Sequence, residues 1–217
     1  MTEILAVLWD LDGVLVDTQE NHFVSWGEVL RDYGASMSRE MFTCLFGMNN
    51  RRTVEVVLGR SVSDELFQSI SYKKETIFRD LMKDSICLMP GVETWLNWIY
   101  AHHIPQAIAS SAPPENIDQV LDTLNVRHLF QAVVPGYGHP SKPDPWVFQT
   151  ASRQLSVDGG NCLVVEDSIA GVQAAKAICA TCLAVTSTNG AEKLYAAGAD
   201  RVVHTLEEIA PGELIGA

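Results

Sequence analysis

The chain has 217 residues, 47% of them hydrophobic and 19% charged, which suits one moderately large domain or a core with a smaller insertion. Its 27 acidic and 15 basic residues give a formal net charge of −12. That balance argues against nonspecific binding to nucleic acid or anionic lipid, while a phosphate substrate stays possible where a metal and one or two lysines make a cleft locally positive. No apolar run approaches a membrane span, the early apolar stretch lacks a basic start, and the five cysteines are odd in number and scattered. The expectation is a cytoplasmic protein with free thiols.

The first element is an uncharged apolar run at residues 4–9, which reads as a strand buried on both faces. It delivers two carboxylates, Asp10 and Asp12, to its end, and Gly13 then permits a sharp turn. Two acids at the end of a buried strand repel each other and require a compensating cation. Taken alone, the tetrapeptide reads equally as a divalent-metal site with one carboxylate free to react and as a solvated acidic turn.

Residues 17–84 contain no convincing strand. Phe23, Trp26 and Leu30 form one helical stripe, Met41, Phe42 and Leu45 a second, and Phe67, Ile70, Ile77 and Leu81 a third. Lys74 is the one charge on the third stripe, so it either snorkels past a core edge or points into a cleft. His22 shares a face with Trp26, Val29 and Tyr33 and reads, on spacing, as a boundary histidine. An all-helical stretch between the first strand and the second indicates an inserted small domain, and Pro90-Gly91 marks the return to the core.

Further apolar runs at 104–109, 132–134, 162–165, 182–185 and 201–203 alternate with helical patterns such as Ile117, Val120, Leu121, Leu124 and Val147, Ala151, Leu155. This alternation predicts an α/β fold with a parallel sheet covered on both faces. In such sheets chemistry sits beyond the carboxyl ends of the strands. Ser110-Ser111 follows the second run, Lys142 precedes the helix starting near Pro145, and Glu166-Asp167 follows the fourth run. Each has an ordinary reading: Ser110-Ser111 as a helix cap, Lys142 as a solvated loop lysine, Glu166-Asp167-Ser168 as acids at a helix start. Together, in order at strand ends, they point to phosphoryl chemistry. Asp10 is the candidate nucleophile and Asp12 the acid/base for both half-reactions. Asp167, with Glu166 beside it, offers hard oxygen ligands that suit Mg²⁺. Ser110 can donate to a phosphoryl oxygen, and Lys142 can neutralise charge on the transferring group. Cys179-Ala-Thr-Cys182 has redox or zinc half-site spacing, but no second pair accompanies it, so buried small hydrophobes are the expectation.

The segments Asp10-Leu-Asp-Gly-Val-Leu-Val-Asp17-Thr18, Ser110, Ser141-Lys142-Pro143-Asp-Pro145 and Val165-Glu166-Asp167-Ser168-Ile-Ala-Gly171 resemble the haloacid dehalogenase superfamily, in its β-phosphoglucomutase and small-phosphatase branch. The resemblance implies a Rossmann-like parallel core over residues 1–16 and 85–217 and a helical cap over 17–84. It places the nucleophile on Asp10, the acid/base on Asp12, magnesium ligands on Asp10, the Asp12 carbonyl and Asp167, and phosphate binders on Ser110, Ser111 and Lys142. In the cap, His22 and Lys74 match substrate-contacting positions. Arg51 and Arg52, in Gly47-Met-Asn-Asn-Arg51-Arg52, lie slightly off the mutase pattern. Cys179 stands where a glycine usually closes the helix, and the expectation is that it packs inward. The function implied is a Mg²⁺-dependent phosphatase of a small phosphorylated metabolite, a sugar phosphate, working as a monomer. A β-phosphoglucomutase-type phosphomutase and a non-catalytic protein that keeps the fold are the alternatives.

Overall fold

The computed structural model describes residues 3–46, 49–83 and 86–216. In chain order the elements are β1 (Ala6–Trp9), α1 (Gln19–Arg31), α2 (Arg39–Leu45), α3 (Asn50–Leu58), α4 (Asp64–Met82), α5 (Val92–Ala101), β2 (Gln106–Ser110), α6 (Pro114–Thr123), β3 (Ala132–Pro135), α7 (Trp146–Gln154), β4 (Cys162–Glu166), α8 (Ile169–Ala177), β5 (Thr181–Val185), α9 (Ala191–Ala197), β6 (Arg201–Val203) and α10 (Gly212–Ile215). The chain divides into two compact units, Met1–Asp17 with Cys87–Ala217, and Thr18–Ile86. The expected breaks at 16/17 and 84/85 lie within two residues of these, and residues 84 and 85 are themselves outside the described residues.

The first unit is built on a six-stranded sheet in the order β3-β2-β1-β4-β5-β6, parallel at every pairing. Every described run expected as a strand is one, although β1 begins at Ala6, because Leu5 is exposed and cannot share the buried run. Side chains alternate across the sheet. Ala6, Leu8, Ala107, Ala109, Val164 and Ala184 pack with Val147, Phe148 and Ala151 of α7 and Val172 and Ala175 of α8. The many alanines let those helices approach closely. On the other face Trp9 meets Trp95 of α5 edge-on, with ring centroids 6.3 Å apart, and its indole N–H donates to Gln106 at 3.0 Å. Strands buried on both faces explain why these runs read as continuous apolar stretches.

The second unit holds α1 to α4, whose cores come from Trp26, Val29 and Leu30, Phe42 and Leu45, Val54, and Phe67 and Ile70. Met41 is exposed rather than part of its expected stripe. The buried face of α4 runs through Phe67, Ile70, Ser71, Lys74, Glu75, Phe78 and Met82, while Ile77, from the expected stripe, is half-buried and packs against the same core, and Leu81 is half-buried. Ser38, Asn49 and Ser63 cap α2, α3 and α4 by accepting from backbone N–H groups three residues on. Gly47 and Met48, part of the arginine-bearing segment singled out in the sequence, lie outside the described residues.

The cysteines divide. Cys162 and Cys182 are buried, as expected of small hydrophobes, whereas Cys179 is exposed. Its inward packing is not observed: Cys179 follows α8 with φ +61°, the left-handed conformation that a glycine there would adopt without strain. Among the described residues no helix is long and apolar enough to cross a membrane.

Candidate active site

The sheet register brings the strand ends together. Trp9 pairs with Val165 of β4 and with Ile108 of β2, so Asp10 lies level with Glu166, and Ser110 stands at the end of the neighbouring strand. The strand order reverses between β1 and β4, the switch point at which parallel sheets open a crevice beyond their carboxyl ends. Asp10, Glu166 and Asp167 flank that point. All three are buried, and each offers a carboxylate oxygen within 4.8 Å of the others.

Lys142 completes the group. Far from being a solvated loop lysine, it is buried, with Nζ donating to Asp10 Oδ1 at 2.8 Å and to Glu166 Oε1 at 2.5 Å. Its carrier loop, between β3 and α7, is tied down where the Gly136 N–H donates to the Ser110 carbonyl at 2.6 Å. Beside Lys142, the Ser141 hydroxyl is buried without a hydrogen-bond partner. Glu166 is held on its other oxygen by the N–H groups of Asp167 and Ser168, both at 2.8 Å, and by the Ser168 hydroxyl at 2.9 Å. Ser168 in turn caps α8 through the Gly171 N–H at 3.0 Å, so the cap is Ser168 rather than the acids. A Cβ at Gly171 would collide with the Glu166 carboxylate, which explains the glycine.

Asp167 is gripped by the loop after β5. Thr188 and Ser187 donate their hydroxyls to Oδ2, Ser187 at 3.2 Å, and Ser187 also reaches the Gly13 carbonyl. Gly13 has φ +83°, and a Cβ there would strike the Asp167 carboxylate, so both its turn and its neighbour demand glycine. Asp12 is half-buried, in a tight turn where residues 12 and 16 form an isolated bridge. The Ser110 hydroxyl accepts from the Ala112 N–H at 3.1 Å. It does not cap α6, which starts after Pro113 with no side-chain cap. Ser111 is half-buried next to it.

The electrostatics follow from burial. Three carboxylates meet one ammonium here, which leaves two negative charges uncompensated within the cluster when all are ionised. Burial pushes the Asp10 carboxyl up to about 7; Glu166 and Asp12 add to the rise and Lys142 opposes it. Burial, Glu166 and Asp10 push Asp167 well above the usual carboxylate range, against the Thr188 hydrogen bond. Burial disfavours the Lys142 charge, but Asp10 and Glu166 outweigh it and hold the ammonium above its ordinary range. A donor set of hard carboxylate oxygens with surplus negative charge fits a divalent cation.

In the helical unit the structure brings His22 and Lys74 together. Lys74 is 1% exposed, and Nζ lies 2.8 Å from His22 Nδ1 and 2.9 Å from Glu75 Oε1. It therefore does not snorkel to solvent. The His22 ring stacks on Phe78 with centroids 3.9 Å apart. Glu75, which the sequence reading missed, also accepts from Asn50 Nδ2 at 2.7 Å. Burial opposes its charge, yet Lys74, His22 and Asn50 together hold it below the usual range. Arg51 is committed within the unit, to Asp64 at 2.5 Å and over the Phe67 ring at 4.4 Å, while the Arg52 side chain is exposed. Ser187, Thr188 and Asn189 were also missed, although the strand-end rule that pointed to the other sites applies equally after the fifth run.

Known proteins resemble this chain in sequence and in fold. A phosphorylated carbohydrates phosphatase of Thermotoga maritima is 27% identical over 208 residues, covering 94% of this chain and 87% of the relative. The β-phosphoglucomutase of Bacillus subtilis is 30% identical over 212 residues, covering 94% and 91%. The crystal structure of a HAD hydrolase, family IA, variant 3, from Entamoeba histolytica superposes with a TM-score of 0.89 at 28% identity, covering 98% of each chain. The family model for haloacid dehalogenase-like hydrolases matches residues 7–185, from β1 to the end of β5, and with the acids of β1 and β4 meeting the Lys142 loop inside that span, the chain belongs to this family.

Proposed function

We propose that the protein is a phosphatase that hydrolyses a small phosphorylated metabolite, a sugar phosphate, through an aspartyl phosphate on Asp10. The observation that carries this reading is the convergence of Asp10, Lys142, Glu166 and Asp167, from segments up to 157 residues apart (167 − 10), on one buried cluster. The name of the Thermotoga maritima relative supports the substrate class.

Asp10, the Asp12 carbonyl and Asp167, with Glu166 alongside, would hold a divalent cation, and magnesium suits their hard oxygens. A cation bound there screens the repulsion between a carboxylate and a phosphoryl dianion. In the first half-reaction an Asp10 oxygen bonds to phosphorus, the ester P–O bond breaks, and Asp12 gives the leaving oxygen its proton. In the second, Asp12 takes a proton from water, whose oxygen attacks phosphorus and releases inorganic phosphate and free Asp10. Ser110 and Ser111 donate to phosphoryl oxygens, and Lys142 neutralises charge on the transferring group. To the helical unit we assign substrate selection, with His22 as the candidate contact and Lys74, paired with Glu75, holding the His22 ring from within the unit.

The Bacillus subtilis relative favours a second reading, a phosphomutase returning the phosphoryl group to sugar. A mutase needs a cation for a second phosphate. Lys74, neutralised by buried Glu75, does not supply one, which supports hydrolysis, whereas the exposed Arg52 is the side chain a mutase would use. The test is a screen of phosphorylated metabolites with and without Mg²⁺, including β-glucose 1-phosphate with a bisphosphate primer. Magnesium-dependent phosphate release from sugar monophosphates is expected; rapid glucose 6-phosphate formation without matching phosphate release overturns the hydrolytic reading.

A further inference from the structure

Asp167 is held by three side chains of the loop after β5. Its Oδ2 accepts from two hydroxyls, Thr188 and Ser187, and its backbone carbonyl accepts from Asn189 Nδ2 at 3.3 Å. Ser187 also binds the Gly13 carbonyl, so the clamp joins the loops after β1, β4 and β5. The Cβ-free Gly13 leaves the space this arrangement occupies. The other acids are engaged in the same way: Asp10 Oδ1 and Glu166 Oε1 accept from Lys142, and Glu166 Oε2 accepts from three donors. The carboxylates thus offer few uncommitted oxygens, and no uncommitted pair on Asp167.

We propose that Thr188 and Ser187 are positioning residues that hold Asp167 by one oxygen, so that it offers a divalent cation the other oxygen alone, and that they thereby set both metal affinity and a preference for a small six-coordinate cation over calcium. Mg²⁺ demands near-octahedral geometry, keeps several waters and takes single oxygens from carboxylates, whereas Ca²⁺ takes six to eight oxygens and accepts bidentate ones. Outer hydrogen-bond partners that fix a ligand's orientation typically matter 10–100-fold in metal affinity. A clamped Asp167 penalises the calcium arrangement and costs the magnesium arrangement nothing. The inference rests on the reading that Asp10, the Asp12 carbonyl and Asp167 hold a divalent cation.

The test is calorimetric titration of the full chain, free of substrate, with Mg²⁺ and separately with Ca²⁺, in wild type, Thr188→Val, Thr188→Ser and Ser187→Ala. Thr188→Val is expected to weaken Mg²⁺ binding at least about 10-fold, and Ca²⁺ binding by less, so that the ratio narrows. Thr188→Ser, which keeps the donor, retains the wild-type ratio, and Ser187→Ala shifts it in the direction of Thr188→Val. If Thr188→Val fails to fold, the Ser187→Ala and Thr188→Ser pair gives the same comparison. Unchanged affinities in the donor-less variants overturn the inference. So does an equal loss for both cations accompanied by a lower metal-free melting temperature, because that is a merely structural role. A wild type that binds neither cation overturns the metal reading and this inference together, whereas wild-type binding with an insensitive Thr188→Val overturns the inference alone.

Discussion

Lys74 illustrates how a side chain's surroundings redirect a prediction made from its position. Its match to a substrate-contacting position implies that Lys74→Ala changes substrate preference more than stability. The structure makes Lys74 the buried counter-charge of Glu75, which is itself only 5% exposed. Removing one partner of a buried pair leaves an uncompensated charge and costs about 3–5 kcal/mol. Lys74→Ala is therefore expected to be strongly destabilised in urea titrations, and the double variant Lys74→Met with Glu75→Leu to recover much of that loss. Equal stability of wild type and Lys74→Ala contradicts the paired-charge account. The residues that carry the candidate site divide by legibility in a similar way. Asp10, Lys142, Glu166 and Asp167, which the structure brings together, are legible because reactive residues after buried apolar runs have few ordinary explanations in combination. Ser187 and Thr188 look like turn residues, and Glu75 looks like a solvated helix charge. Their partners are fixed only by tertiary placement.

At the scale of elements, the strands were legible because burial on both faces writes an uninterrupted apolar run. Helix faces were less so. The buried face of α4 admits Ser71 and Glu75 because Asn50 satisfies both, at 3.1 and 2.7 Å, so polar residues hide in a face that an apolar stripe alone does not reveal. The end of α8 shows the reverse: the absent glycine is legible in the sequence, but its consequence lies in the backbone rather than in packing. Cys179 takes a left-handed conformation while exposed, a strain on the order of 1 kcal/mol for a residue with a Cβ. Cys179→Gly is expected to raise the melting temperature by about 2–4 °C in a chain of this size. A fall shows that the cysteine side chain contributes more than its backbone costs.

For the whole molecule, the buried acid cluster links stability to pH and to metal. Asp10 rises to about 7, from an ordinary carboxylate value near 4, and Asp167 moves in the same direction. The metal-free fold thus binds protons that the unfolded chain has released. Stability from these groups is fully present below about pH 4 and is lost as pH rises through about 7. Glu75 moves the opposite way, but its window lies below the ordinary glutamate range, so it leaves this interval untouched. The metal-free protein is expected to lose melting temperature between pH 5 and 8, and added divalent cation to remove that fall, since it takes over the compensation that protons supply. A metal-free melting temperature that rises across the interval contradicts the cluster's charge balance.

The proposed nucleophilic role of Asp10 underlies every step of the hydrolysis. The direct measurement is acid quenching of the wild-type protein and Asp10→Asn during turnover of a sugar phosphate with Mg²⁺, followed by mass mapping of the peptides. One phosphoryl group is expected on the Asp10 peptide of the wild type and none on the variant, with a turnover loss in Asp10→Asn of at least about 10⁴-fold and the fold intact. Sustained wild-type turnover with no phosphoryl group on that peptide, or comparable hydrolysis by Asp10→Asn, would contradict that role.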